Sequence, residues 1–506
     1  MTVDLGWMGH GSRPERLPAR ERAWEFAAKY ESRVALGLVM GFGLLFSGLA
    51  LARHRAFHST ALDLAVFDQV IWNTLHGRFM ESTLSLGQCV PHSFFGDHFS
   101  PALLLLVPFY AIVSGPETLL IVQSAALAAG AWPLYLLART FLHRSEERLL
   151  WVLAYLLSAP LAFIALYDFH EVSLCIAPLG FAVYFLATRR TRLFLLCLFA
   201  TFLIKEEFAL IGIGFGLALA VRRQWRLAAF VTLVSVLVFA ITLKIVIPAF
   251  AGTTYQYLGR YKSLGDSELE IARTLLLDPL RVLRVLVQGE VGSKLAFVLS
   301  LFGVGFGVAF RSRWAVIPAL VPVGYLMLSD YGGEHTLHNQ YAAPLIPLAL
   351  GATIIGMATL TDRVRRRLSL AALISVVFFA VGFGGLPFTP DFAEAVLRGP
   401  VDRAPDPSPI LQREPRYDAF LTALRAMPPD AAVASQDYLT TQLAQRRYSY
   451  YFNGLDACNA QYVILDAADP HVNRDLAAHR REVAQIEALG FEEIARGEGL
   501  SLLRRR

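Results

Sequence analysis

Charge is what this sequence lacks: 17% of its 506 residues are Asp, Glu, Lys or Arg, against 55% that are hydrophobic, and the mean hydropathy is +0.47. That balance excludes an ordinary soluble protein. Cysteine is also scarce. The four, Cys89, Cys175, Cys197 and Cys458, have no CxxC spacing, which argues against zinc and against a redox pair. Cys89 and Cys458 both fall in segments expected outside, where a disulfide is permitted, but nothing in the sequence brings them close and no bridge is expected. No HExxH run is present, and no glycine-rich phosphate loop opens a helix of the tail, so a nucleotide cofactor is not supported. The net charge of +5 sits mostly in short arginine clusters between apolar runs, a mark of topology and not of nucleic-acid binding.

What the chain has is apolar helix. Runs suited to a bilayer lie near 34–52, 117–138, 149–166, 172–188, 227–250, 294–310, 314–329, 342–360 and 368–385. Segment 193–221 has two short arms that meet at Lys205-Glu206-Glu207, which suggests a helical hairpin with its charged tip at or just below the outer surface. Counting it twice predicts about eleven transmembrane helices. Ala50-Leu51-Ala52 resembles a signal-peptidase site, but the polar leader is long for a cleaved signal, and an uncleaved anchor is the better reading.

The loops divide into two kinds. Arg139/Arg144/Arg148, Arg189/Arg190/Arg192, Arg222/Arg223/Arg226, Arg311/Arg313 and Arg363/Arg365/Arg366/Arg367 fill every second one. Arginine-rich short loops mark the cytoplasmic side, and the basic stretch before the first helix agrees, so residues 1–33 form a cytoplasmic N-terminal segment. The others hold Asp63, Asp68, His92, Asp97, His98, Asp168, His170, Glu171, Lys205, Glu334, His335 and His338, which must gather on the opposite face. Admitting Pro101–Val113 as a crossing would reverse every later loop, so it belongs to the first outer loop, 53–116, as an interfacial helix. Beyond the membrane domain, 34–385, a Pro-rich linker at 386–410 leads to residues 411–506. There, helical character at 415–426 and 474–489 alternates with short strands at 431–435, 448–452, 462–466 and a final pair around 491–503, which reads as a small extracytoplasmic α/β domain.

Several outer residues invite chemistry, each with a plainer alternative. Asp63 suits a base that takes a proton from an attacking hydroxyl or phosphate; it equally suits a capping or solvated aspartate. Asp63 and Phe67 share a helix face, while Asp68 lies on another side. His98, His170 and Glu171 are metal-ligand types able to hold a divalent ion such as Mg or Mn against a lipid phosphate, or to form a hydrogen-bonded network. Lys205, with Glu206 beside it and Arg260 and Lys262 in the next outer loop, suits phosphate as a point charge; Lys205 alternatively neutralises Glu206 or Glu207. His335, His338 and Tyr341 stand at the outer start of helix 342–360, where anions are favoured.

Asp63-Leu-Ala-Val-Phe67-Asp68-Gln69 followed by Leu75 resembles the first outer loop of GT-C glycosyltransferases, in particular the lipid A aminoarabinose transferases. The runs FDQVIWNTLHG, HFSP, YDFHE, KEE and HNQYAAPLIP resemble a bacterial membrane family, domain-of-unknown-function family 2079, over about residues 60–350. The resemblance implies a GT-C-like inner-membrane glycosyltransferase that moves a sugar from a polyprenyl-phosphate carrier to a glycan, lipid or protein acceptor at the outer surface. Asp63 would be the base, Asp68 or Asp168 would orient it, and the outer tail would bind acceptor or regulate access. The rival readings are a transporter or flippase, which would need polar residues deep in several helices, and a non-catalytic sensor or assembly protein.

Overall fold

The computed structural model describes residues 29–85, 89–305, 307–336, 339–383, 413, 415–452, 457–467, 476–497 and 499–506. Residues 1–28, the expected linker 386–410 and His338 lie outside the described residues.

Every apolar run is helical, but the expected count of about eleven spans is corrected. Among the described residues four helices are long and apolar enough to cross a membrane: Glu31–Arg55, Pro116–Phe141, Trp225–Ala251 and Gln340–Met357. Counting each bent pair, Ser145–Leu156 with Ala159–Leu166 (45°) and Pro279–Val287 with Val291–Phe302 (91°), gives up to six. The run near 368–385 lies in the 22-residue helix Asp362–Phe383, and the remaining apolar runs form helices of 10–17 residues, or roughly 15–26 Å at 1.5 Å per residue, short of a hydrocarbon core of about 30 Å. Proline is one cause: Pro160 opens the second arm of the 45° bend, and Pro322 lies inside Ile317–Met327.

The helix Leu345–Met357 is buried on all sides, so an all-round apolar sequence becomes the bundle's centre. Close approach around it requires small residues: a Cβ on Gly130 would lie 2.3 Å from Ile176 Cγ2 and from the Tyr155 hydroxyl. At the arginine-rich end, Arg148 pairs with Glu31 (3.0 Å) and buried Arg365 with Glu147 (2.9 Å), tying helix ends together. The stretch Pro101–Leu106 and Val107–Ile112 exposes Leu105, Phe109 and Ile112, as an interfacial helix should.

At the other end, loop 53–116 has its own apolar core around Phe67, Phe94, Leu103 and Phe169. It carries a two-stranded ladder, β1 (Glu81–Ser82) against β2 (His92–Ser93). The C-terminal region adds β3 (Val433–Ser435), β4 (Ser449–Tyr451), β5 (Tyr462–Asp466), β6 (Phe491–Gly497) and β7 (Leu500–Arg505) in the order β4-β3-β5-β7-β6. The strands β3, β4 and β5 run parallel, and β7 is antiparallel to β5 and β6.

This sheet region is fastened to the loop. Thr83 Oγ1 donates to the Ser449 carbonyl (2.5 Å) and accepts from its N–H (3.2 Å), and Phe57 stacks on Tyr417 at 4.3 Å. Contrary to expectation, Cys89 and Cys458 are joined by a disulfide, with Cα atoms 5.2 Å apart across 369 residues. Sequence distance gave no sign of it, because folding of the tail onto the loop brings them together.

Candidate active site

The site begins at a break in helix geometry. Thr60 is extended, and Ala61–Ala65 forms one π-turn before Val66–Leu75 continues as α-helix; such turns are frequent at functional sites. The break turns the Asp63 carboxylate inward. Its Oδ2 accepts from Thr60 Oγ1 (2.9 Å) and the Tyr167 hydroxyl (3.0 Å), and its Oδ1 meets His170 Nε2 at 2.9 Å.

The opposing segment is shaped by one amide in an apolar helix. Gln123 Nε2 lies within 3.0–3.2 Å of the carbonyls of Ile164, Tyr167 and Asp168, and its Oε1 accepts the His170 N–H (2.9 Å). This holds 167–170 extended below the end of Ala159–Leu166. His170 Nδ1 then faces the Asp168 carbonyl at 3.1 Å. A carbonyl only accepts and an ionised carboxylate only accepts, so both ring nitrogens donate and the imidazole is a cation. Burial would lower its pKa, but Asp63 raises it overall. Conversely, burial opposes ionisation of Asp63, yet the His170 charge and the hydrogen bonds from His170, Thr60 and Tyr167 bring it down to about 2.

Asp168 is brought beside this pair without lining a cavity. It is buried, takes Arg53 Nη1 at 2.6 Å and the Thr60 N–H at 2.7 Å, and shares the Thr60 hydroxyl (2.8 Å) with Asp63. It is a brace. Asp68 is not brought together with Asp63. It is fully buried and accepts from Tyr110, and burial pushes its carboxyl up to about 7. Five residues on from Asp63, roughly 140° around a helix at 100° per residue, it faces the loop core.

Asp63 borders a cavity of about 300 Å³ whose walls include His98, His170, Glu171, Lys205, Arg260 and Tyr341. The Lys205 ammonium stands 3.8 Å from Glu171 Oε1, too far for a hydrogen bond, and 6.0 Å from the Tyr341 ring centre. Burial works against its charge, but the glutamates 207, 171 and 206 raise its pKa, so it is an ammonium with donors directed to no close partner in that pair. Arg260 is fixed by Glu334 and sits over the Tyr257 and Tyr331 rings at 4.5 and 4.8 Å.

Glu206 lies beneath the cavity. It accepts from His98 Nδ1 (2.8 Å), Tyr255 (2.8 Å) and the Phe99 N–H (3.1 Å), which makes it a support for His98 and not a phosphate ligand. Tyr257 stacks on His98 at 4.5 Å and donates to Asp97 at 2.6 Å. Lys262 is exposed and does not line the cavity, and His335 is buried away from it.

The expected metal ligands His98, His170 and Glu171 all line this cavity, but both imidazoles are engaged by protein groups. His170 spends both nitrogens on Asp63 and a carbonyl, His98 spends Nδ1 on Glu206, and a metal-bound imidazole must be neutral with a free lone pair. No group of three or more His, Cys, Asp or Glu able to hold an ion occurs among the described residues.

A second chamber, about 270 Å³, also borders Asp63 and shares Leu62, Gln340 and Tyr341 with the first. Its wall includes Asp437 from the C-terminal region, whose Oδ1 accepts the Ala61 N–H at 2.5 Å. Sequence reasoning missed Thr60, Gln123, Tyr167 and Asp437. Gln123 alone left a signal, a lone amide in Pro116–Ala129.

A family model described as predicted membrane protein (DUF2079) matches residues 53–502. No curated protein matches the chain. Among solved structures, that of ArnT from Cupriavidus metallidurans in the apo state superposes with a TM-score of 0.53 at 13% identity, covering 92% of this chain and 98% of that one. At that identity the likeness is one of fold alone.

Proposed function

The chain belongs to the DUF2079 family of predicted membrane proteins, and on that footing we propose that it is a glycosyltransferase moving a sugar from a polyprenyl-phosphate donor to an acceptor at the extracytoplasmic membrane face. The observation that carries the reading is an ionised Asp63 at the edge of a cavity that offers a buried ammonium, Lys205, and a guanidinium, Arg260. That is the charge pattern needed for an anionic leaving group opposite a base.

The reaction follows from these groups. The acceptor hydroxyl attacks the anomeric carbon, the bond from that carbon to the phosphate oxygen breaks, and the electron pair leaves with the polyprenyl phosphate. Lys205 and Arg260 stabilise the phosphate as its charge grows. The proton passes from the acceptor hydroxyl to Asp63. A carboxylate held near 2 is a weak base. It suffices in a dissociative displacement, because the attacking hydroxyl becomes strongly acidic as its bond to an oxocarbenium-like carbon forms. His170 and Thr60 hold Asp63 ionised and oriented until then.

The orientation in the bacterial inner membrane, with the N-terminus cytoplasmic and the C-terminal sheet extracytoplasmic, is supported by two facts. Arginines crowd the end opposite the cavity, and the Cys89–Cys458 disulfide lies at the cavity end, as an oxidising compartment permits. A divalent ion remains a variable of the assay and is given no step.

The test is a transfer assay on purified protein in lipid, with a panel of polyprenyl-phosphate sugars, with and without Mg or Mn, wild type beside Asp63→Asn. Release of carrier phosphate that falls at least a hundredfold in the folded variant is the expected result. Absence of turnover and of binding with every donor would move the assignment to transport or partner binding.

A further inference from the structure

The two chambers beside Asp63 differ in charge. The first is lined by Lys205, Arg260 and the imidazoles of His98 and His170, whose pKa values are both raised by carboxylates, alongside the carboxylates of Asp63, Asp97 and Glu171. Among its described lining residues the second has neither lysine nor arginine; their formal charges are the carboxylates of Asp63 and Asp437. The rest of its polar wall is neutral: three phenols, Tyr167, Tyr331 and Tyr341, two amides, Asn339 and Gln340, and the Thr60 hydroxyl.

Asp437 comes from a part of the chain distant in sequence, yet it is built into the site. It is 8% exposed, opens the short helix Asp437–Thr440, and its Oδ1 takes the N–H of Ala61, two residues before Asp63. Around it, buried Tyr438 sets its ring against His58 at 5.6 Å, and Gln442 reaches the His54 carbonyl at 3.4 Å. The C-terminal region therefore closes one wall of the second chamber.

We propose that the second chamber is the acceptor site, that it takes a polyhydroxylated, sugar-like acceptor with no negative charge at its reacting end, and that Asp437 is a specificity-determining residue for it. The inference rests on the transferase reading and specifies its acceptor. Aromatic faces pack the C–H surface of a sugar ring, and amides and carboxylates receive its hydroxyls. A hydroxyl oriented by Asp437 is presented to Asp63, across which the donor lies. A phosphorylated or carboxylated acceptor would meet the Asp437 carboxylate with no lysine or arginine among the described wall residues, and like charges in a partly desolvated site repel strongly.

The experiment compares wild type with Asp437→Asn and Asp437→Ala in lipid. Octyl hexosides and the same hexosides carrying a 6-phosphate serve as acceptor probes, and donor binding is measured separately with a polyprenyl-phosphate sugar. The amide keeps an acceptor oxygen for the Ala61 N–H, so Asp437→Asn guards against simple misfolding. Wild type is expected to use the neutral hexosides at least tenfold better than the phosphorylated ones. Asp437→Asn should raise the KM for neutral acceptor about tenfold, narrow the discrimination against phosphate, and leave donor binding within about twofold. Equal or better use of phosphorylated acceptors by wild type, use of neither set while donor is bound and hydrolysed, or a fall in turnover at unchanged acceptor KM would overturn it. If no donor is bound at all, it is the transferase reading that fails.

Discussion

Asp63 and His170 face each other across 2.9 Å, and because the ring also donates to the Asp168 carbonyl, their ionisation is linked. The sign for each partner is separate. Asp63 has a folded pKa below its unfolded one, so its contribution is present above about 4 and is lost as pH falls toward 2. His170 is raised, so its contribution is present below about 6.5 and is lost as pH rises through the higher folded value. Replacing His170 with Gln removes the charge that outweighs burial, and the Asp63 pKa should rise. In a pH profile of kcat/KM the acid limb is expected to move upward by at least one unit; an unmoved limb would separate the two residues. Lys205→Gln removes a charge-assisted hydrogen bond of about 1.5–3 kcal/mol, so donor affinity should fall roughly ten- to a hundredfold. Titration of donor binding checks it, with acceptor KM as the control.

Elements are held to one another by buried ion pairs and by the tail. Arg53 closes the helix Glu31–Arg55 against Asp168, the anchor of the 167–170 segment, at 2.6 Å with both side chains buried. Arg53→Ala leaves a buried carboxylate without its partner and should cost about 3–5 kcal/mol; thermal unfolding in detergent reads the loss. The Cys89–Cys458 bridge ties the tail to the same loop, and Cys458→Ser should weaken that attachment by about 2–5 kcal/mol. Limited proteolysis is expected to release the C-terminal region sooner in the variant, while Thr83–Ser449 contacts keep it docked in the intact fraction. At this scale the sequence was legible where pattern is local. Strands at 433–435, 449–451 and 462–466 coincide with short apolar runs, and each apolar run of the bundle is helix. Helix length was not legible, because a run such as 149–166 conceals the break before Pro160.

For the whole molecule, the division into an arginine-rich end and an acid- and histidine-rich end requires a membrane between them. A tag after Arg506 should be accessible to a membrane-impermeant reagent from the outer side of intact spheroplasts, and one before Met1 only after lysis. The reverse pattern would contradict the proposed orientation.

Composition alone made this a membrane protein, and the runs around Asp63, Asp168 and Lys205 marked one end as the candidate site, since hydropathy and charge are sums along the chain. The phase of a helix also separated Asp63 from Asp68 in advance. Tertiary structure decided the rest. It alone paired Asp63 with His170 across 107 residues, chose Asp168 over Asp68 as the support beside it, and turned Glu206 into a support for His98. It also brought Asp437 and Cys458 to the first loop from over 350 residues away. Which partner a buried polar group finds depends on where distant segments close in space, and nothing in the local order of residues encodes that closure.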